Sequence, residues 1–188
     1  MKYKSRFFFL DGYSVNAIAK KYLTPIYCYS FNKIKKNIKT FNKNFKNINH
    51  LSCFSVKSNP NKTLLKEIGK LGFGADVVSI GELMRALKSG IKPSKIVFSG
   101  VGKDTFEIDY AINKKILLIN AESKSEILEI ERLAKLKKRK VSIGIRLNPN
   151  VDANTLSQIS TGKKENKFGV SEKVFIKLFN YVKRSKYL

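Results

Sequence analysis

Three side chains occupy positions where ordinary surface charge is a poor explanation. Lys57 follows the run Leu51-Ser52-Cys53-Phe54-Ser55-Val56 and precedes Ser58-Asn59-Pro60. Apolar and small residues bounded by turn formers fit a buried strand, and alternation puts Cys53, Ser55, Lys57 and Asn59 on one face. An amine at the mouth of such a strand loses hydration, which favours its neutral form. A neutral amine condenses with a carbonyl compound to form a Schiff base. The competing reading is a lysine that snorkels out at a strand end. Asp76 lies among Gly74, Ala75, Val77 and Val78, and Arg146 lies within Val141–Asn148. Both charges are costly to bury unless paired. They form a structural ion pair, or Arg146 sits at a solvated edge, or both converge with Lys57 on a ligand. The residues alone leave these alternatives open.

Such a convergence needs strands that run side by side and end at one mouth. The spacing predicts a helix over 14–22, a strand over 26–29, and a helix carrying the stripe Phe31, Ile34, Ile38, Phe41 and Phe45. A repeating unit follows. Strands are expected at 50–57, 75–79, 96–100, 116–120 and 141–148. Helices are expected at 61–71, 80–89, 104–113, 123–138 and 171–186, with a polar loop over 150–170. Near-continuous apolar strands alternating with amphipathic helices imply a helix-covered parallel sheet. Either a doubly wound sheet or part of a (β/α)8 barrel fits that pattern. No glycine-rich fingerprint opens a helix after the first strand, since Gly72-Phe73-Gly74 precedes a strand instead. Polar residues on the strands, with Arg146 and Asp76 foremost, favour a barrel with its site at the C-terminal mouth.

Composition narrows the function classes. The chain has 188 residues, enough for one ordinary core, and a formal charge of +24. Its 38 Lys and Arg are scattered along the whole length beside many Asn, without a basic arm or a recognition motif. Neither nucleic acid nor a membrane is an expected partner, and the short run Phe7–Leu10 is too brief for a signal core. A cytoplasmic protein is expected. A single histidine, His50, argues against structural zinc and against a histidine-based triad. Cys28 and Cys53, both in apolar β-like segments, are expected to be buried free thiols.

Five ordered segments carry a resemblance. They are Phe54–Asn61, Gly72–Leu83, Lys95–Lys103, Arg146–Ala153, and Ile159–Gly162 continuing to Lys167–Val170. Together with Leu10-Asp11-Gly12 and Thr24–Ser30, they resemble the diaminopimelate decarboxylase family, a branch of the fold-type III pyridoxal-phosphate decarboxylases. The resemblance implies a (β/α)8 barrel joined to a β-rich domain. Residues 1–30 would belong to the β-rich domain, and 31–188 to the first part of the barrel, with about five βα units. It implies pyridoxal 5'-phosphate as cofactor, Lys57 as its catalytic attachment point, and Asp76 and Arg146 as cofactor-orienting groups. It implies a small amino-acid substrate, meso-2,6-diaminopimelate, decarboxylated to L-lysine, and a homodimer in the full-length family. Around Thr155 the family often has Thr-His where this chain has Thr155-Leu156. The family's phosphate loop, acidic ring-nitrogen partner and Cys-Glu segment are not in this sequence. On that basis the chain is expected to be an N-terminal portion, inactive or weakly active alone. Alternatives are another fold-type III decarboxylase, of arginine or carboxynorspermidine type, or a non-catalytic cofactor-binding remnant.

Overall fold

The computed structural model of the chain describes residues 2–4, 6–151 and 168–188. Two compact units are present, residues 1–50 and residues 51–188, each with its own sheet. The helix over Phe31–Asn44, assigned above to the barrel portion, falls within the first unit.

In residues 1–50, strands β1 (Lys2–Lys4), β2 (Phe7–Leu10) and β3 (Tyr13–Ser14) form an antiparallel sheet in that order. Asp11 and Gly12 join β2 to β3 with positive φ angles of 49° and 93°. A two-residue turn of that geometry matches strand twist, and Asp-Gly is its favoured sequence. Helix α1 (Val15–Tyr22) follows. The strand expected at 26–29 does not form: Ile26–Tyr29 joins no sheet and is mostly exposed, as is Cys28. β-propensity there has no neighbouring strand to satisfy it. Helix α2 (Phe31–Asn44) carries the apolar stripe, with Ile38 buried and Phe41 stacked on Phe45 at 4.6 Å.

In residues 51–188, β4 (Cys53–Ser55), β5 (Gly74–Val77), β6 (Ile96–Phe98), β7 (Leu118–Ala121) and β8 (Ile143–Ile145) form one parallel sheet. Their spatial order is the sequence order, with no reversal. A doubly wound sheet needs a reversal point, so the order settles the choice left open by periodicity in favour of barrel winding. Helices α3 (Lys62–Lys70), α4 (Ile80–Lys88), α5 (Thr105–Lys114), α6 (Lys124–Leu136) and α7 (Glu172–Arg184) follow the successive strands. Among the described residues β4 and β8 remain sheet edges.

The two faces of the sheet differ in chemistry. Ala75, Val77, Ile96, Phe98, Ile119 and Ala121 are buried in one core with helix residues such as Leu83, Ala86, Ile108, Ile127 and Ile130. The alternate positions, Asp76, Val97 and Asn120, lie on the opposite face. Helix starts are fixed by side chains in the loops that follow the strands. Ser79, Asp104 and Ser123 each accept the backbone N–H three residues on, at Glu82, Glu107 and Glu126. Glu107 reaches back to the Asp104 N–H in a complete capping box. These caps hold the strand-to-helix loops that surround the polar face.

Candidate active site

Lys57 does not continue β4. The strand stops at Ser55, and Val56–Ser58 form one 3-10 turn, closed by the Asn59 N–H to the Val56 carbonyl at 3.1 Å. Ser58 adds an Oγ donation to the Ser55 carbonyl at 2.7 Å. Val56 is fully buried, whereas Lys57 is exposed. Strand pairing therefore ends at Ser55, yet the alternation of sides persists to Lys57: Phe54 and Val56 pack on the core, while Ser55 and Lys57 face Asp76 and the cavity. The expected loss of hydration at Lys57 is not supplied by the described residues. What the structure does supply is convergence. Lys57, Asp76, Ser99, Asn120, Glu122 and Arg146 line a single cavity of about 600 Å³ at the C-terminal ends of the strands.

Asp76 is held as a fixed acceptor. Ser99 donates to Oδ1 at 2.7 Å and Ser55 donates to Oδ2 at 3.4 Å. Asn120 Nδ2 donates to Ser99 Oγ at 3.0 Å, which directs the serine hydrogen toward Asp76. A polar ladder thus crosses four adjacent strands or strand ends. Its fifth rung must be empty: a Cβ on Gly144 would lie 2.2 Å from Asn120 Oδ1. Cys53, in β4, has its thiol pushed above the ordinary range by burial and, next, by the negative charge of Asp76.

Arg146 pairs with Glu122 and not with Asp76. Its Nη1 lies 2.9 Å from Glu122 Oε1, and its guanidinium lies 4.7 Å from the centre of the Phe168 ring. Glu122 Oε2 accepts the Gly169 N–H at 3.0 Å. Gly169 has φ +74°, and a Cβ there would stand 2.6 Å from the Arg146 carbonyl, so no other residue fits that position without strain. Backbone bonds from Val170 to Arg146 and from Asn148 to Val170 tie the ends of the loop together.

Beneath this pair sits a second buried ion pair. Lys103 Nζ donates to Glu126 Oε1 at 2.6 Å, and to the Gly100 and Asn120 carbonyls at 2.6 and 2.8 Å. All three ammonium donors are used, so Lys103 is a structural strut and not a second reactive amine. Glu126 Oε2 accepts the Glu122 N–H at 2.8 Å, linking the strut to the wall of the cavity.

All three residues singled out by sequence line one cavity. Glu122, Asn120, Ser99 and Lys103 were missed as site residues. Ser99 and Lys103 lie inside the Lys95–Lys103 segment, and Glu122 directly precedes the helix cap Ser123. Position at a strand end was the available signal for Ser99, Asn120 and Glu122. The Asp152–Gly162 part of the resembling segments, and residues up to Lys167, lie outside the described residues. Among the described residues no cluster of metal-ligating side chains occurs, and no helix is long and apolar enough to cross a membrane.

The donor set fits an anionic aldehyde. A primary amine, a guanidinium and a fixed carboxylate share a space that holds a ring of substituted-pyridine size. Comparison with known proteins gives the same indication. Residues 31–186 match the family described as pyridoxal-dependent decarboxylase, pyridoxal binding domain. Diaminopimelate decarboxylase of Helicobacter pylori (strain J99) is 48% identical over 176 residues, covering 94% of this chain and 44% of that protein. The enzyme of the same name from Aquifex aeolicus is 39% identical over 184 residues, covering 98% of this chain and 43% of that protein. A crystal structure of the H. pylori enzyme complexed with L-lysine superposes with a TM-score of 0.88 at 47% identity, over 92% of this chain and 44% of that one. The chain therefore spans less than half the length of the curated relatives it matches.

Proposed function

The chain belongs to the pyridoxal-dependent decarboxylases, whose pyridoxal-binding domain it matches over residues 31–186, and we propose that it binds pyridoxal 5'-phosphate through Lys57 and serves the conversion of meso-2,6-diaminopimelate to L-lysine. The observation that carries this reading is the cavity in which Lys57, Asp76 and Arg146 meet. Pyridoxal phosphate, when bound, supplies an electron sink for the bond to a departing carboxylate. Residues of this chain would hold and orient the group. Lys57 would hold the cofactor aldehyde through its amine at the mouth of the cavity. Arg146, anchored by Glu122, presents the remaining guanidinium donors to an anionic group of cofactor or substrate. Asp76, fixed as an acceptor by Ser99 and Ser55, orients a donor on the ligand.

The substrate assignment rests on the relatives named diaminopimelate decarboxylase. In the same reading, residues 1–30 contribute to a β-rich domain and 31–188 to the cofactor barrel, in a cytoplasmic enzyme that works as a homodimer. Because β4 and β8 are both unpaired edges among the described residues, we propose that the 188-residue chain alone turns over slowly. The test is L-lysine formation from meso-diaminopimelate with added pyridoxal phosphate, for the chain and for Lys57→Ala. Slow formation that vanishes in the variant is expected. Equal rates in both proteins, or preferential carbon dioxide release from arginine, would overturn the assignment.

A further inference from the structure

We infer that Glu122 is the positioning residue for Arg146, fixing the guanidinium on the cavity wall and coupling it to closure of the backbone at residues 168–170. The inference rests on the proposed function for what the cavity binds; the coupling itself is read from the side chains. The Glu122 side chain is 4% exposed, against 37% for Arg146. A carboxylate so buried needs its charge met, and Arg146 Nη1 at 2.9 Å meets it. Its second oxygen takes the Gly169 N–H at 3.0 Å. Each oxygen has a partner, so Glu122 ties Arg146 to the Gly169 amide.

Arg146 is in the opposite condition. Among the described residues only Nη1 has a side-chain partner, and the other donors of the fork remain for a cavity ligand. A long side chain over one-third exposed would otherwise spend much of its time elsewhere. Glu122 stops that on one side, and the Phe168 ring at 4.7 Å on the other. The same carboxylate thus holds both the Arg146 guanidinium and the Gly169 amide, next to Phe168. Glu122 is itself well seated, since its N–H is held by Glu126 Oε2, and Glu126 by Lys103.

The test compares the 188-residue chain with Glu122→Gln, Arg146→Gln and the double variant. Glutamine keeps a hydrogen-bond acceptor for Gly169 but removes the charge that anchors Arg146. Pyridoxal phosphate affinity, followed by titration, is expected to weaken about tenfold in each single variant, the worth of one charge-assisted hydrogen bond. The double variant is expected to match Arg146→Gln alone, because Glu122 acts through Arg146. Multiplying effects, or unchanged affinity in Glu122→Gln, would refute the role. A cofactor-free readout separates this result from the proposed function. In ligand-free protein, the Arg146 Nε–H resonance should be resolved in the wild type and motionally averaged in Glu122→Gln. An unchanged resonance refutes the positioning role even if Lys57 traps the cofactor. Loss of that resonance supports it even if Lys57 does not.

Discussion

Replacing Lys103 by Met tests whether the floor of the cavity is held by a buried charge. Methionine keeps most of the length of the side chain and removes the ammonium. Lys103 is 1% exposed and Glu126 9% exposed in their side chains, with 2.6 Å between the charged atoms. Breaking such a pair leaves Glu126 as an uncompensated buried charge, which costs about 3–5 kcal/mol. The Gly100 and Asn120 carbonyls lose their donor as well. The pair between Lys70 and Glu67 is nearly as close, at 2.7 Å, but is 60% and 25% exposed. Its loss in Lys70→Met should cost only about 0.2–1 kcal/mol. Equilibrium urea unfolding of both variants measures the contrast. Adding Glu126→Gln to Lys103→Met should recover about 1–2 kcal/mol, since the stranded charge is gone. About 0.5 M salt should leave the Lys103 effect nearly intact, because buried charges are weakly screened. A Lys103→Met loss below about 1 kcal/mol, or one abolished by salt, would refute the strut.

Three further outcomes are expected. Gly144→Ala forces a Cβ to 2.2 Å from Asn120 Oδ1, so it should destabilise by about 1–3 kcal/mol in denaturant melts and weaken pyridoxal phosphate binding as the Asn120–Ser99 bond breaks. A thiol-alkylating reagent near neutral pH should modify exposed Cys28 well before Cys53, whose thiolate is disfavoured by burial and by Asp76; mass mapping of the modified peptides reads the order. Glu129 is held down to about 2 by its hydrogen bonds to Arg132, from an ordinary value of 4.5. Its stabilisation is therefore present above the ordinary value and lost as pH falls from there toward about 2. The pair is largely solvated, so the wild type should exceed Arg132→Gln only slightly in stability at neutral pH, and unfolding in acid should show that gap closing.

Much of the barrel was legible because its strands are short apolar runs and three of its helices begin at Ser or Asp with Glu three positions on. Ser79-x-x-Glu82, Asp104-x-x-Glu107 and Ser123-x-x-Glu126 mark three helix starts within a residue of where they occur. Strand ends were harder. Val56 and Lys57 continue an alternating pattern on paper, yet a 3-10 turn closed by local hydrogen bonds takes them out of the sheet. The three-stranded sheet of residues 2–14 escaped notice because its pairing is between short strands, with Asp11-Gly12 as its main signal. Cys28 was expected inside on hydrophobicity alone and is exposed. The identity of Arg146's partner was beyond the sequence, because Asp76 and Glu122 both sit on the mouth side, and only side-chain geometry chooses between them. Lys103 looked like any other surface lysine, since nothing local marks the two carbonyls and the carboxylate that fold around it.

The measurement nearest the heart of the proposal is reductive trapping. The 188-residue chain and Lys57→Ala are each incubated with pyridoxal phosphate, treated with borohydride and mapped by peptide mass. A single dominant label on Lys57 in the wild type, absent from the variant, is the expected result. Labelling spread over the many other lysines, with total incorporation equal in the two proteins, would contradict it and remove Lys57 from the chemistry of this fold.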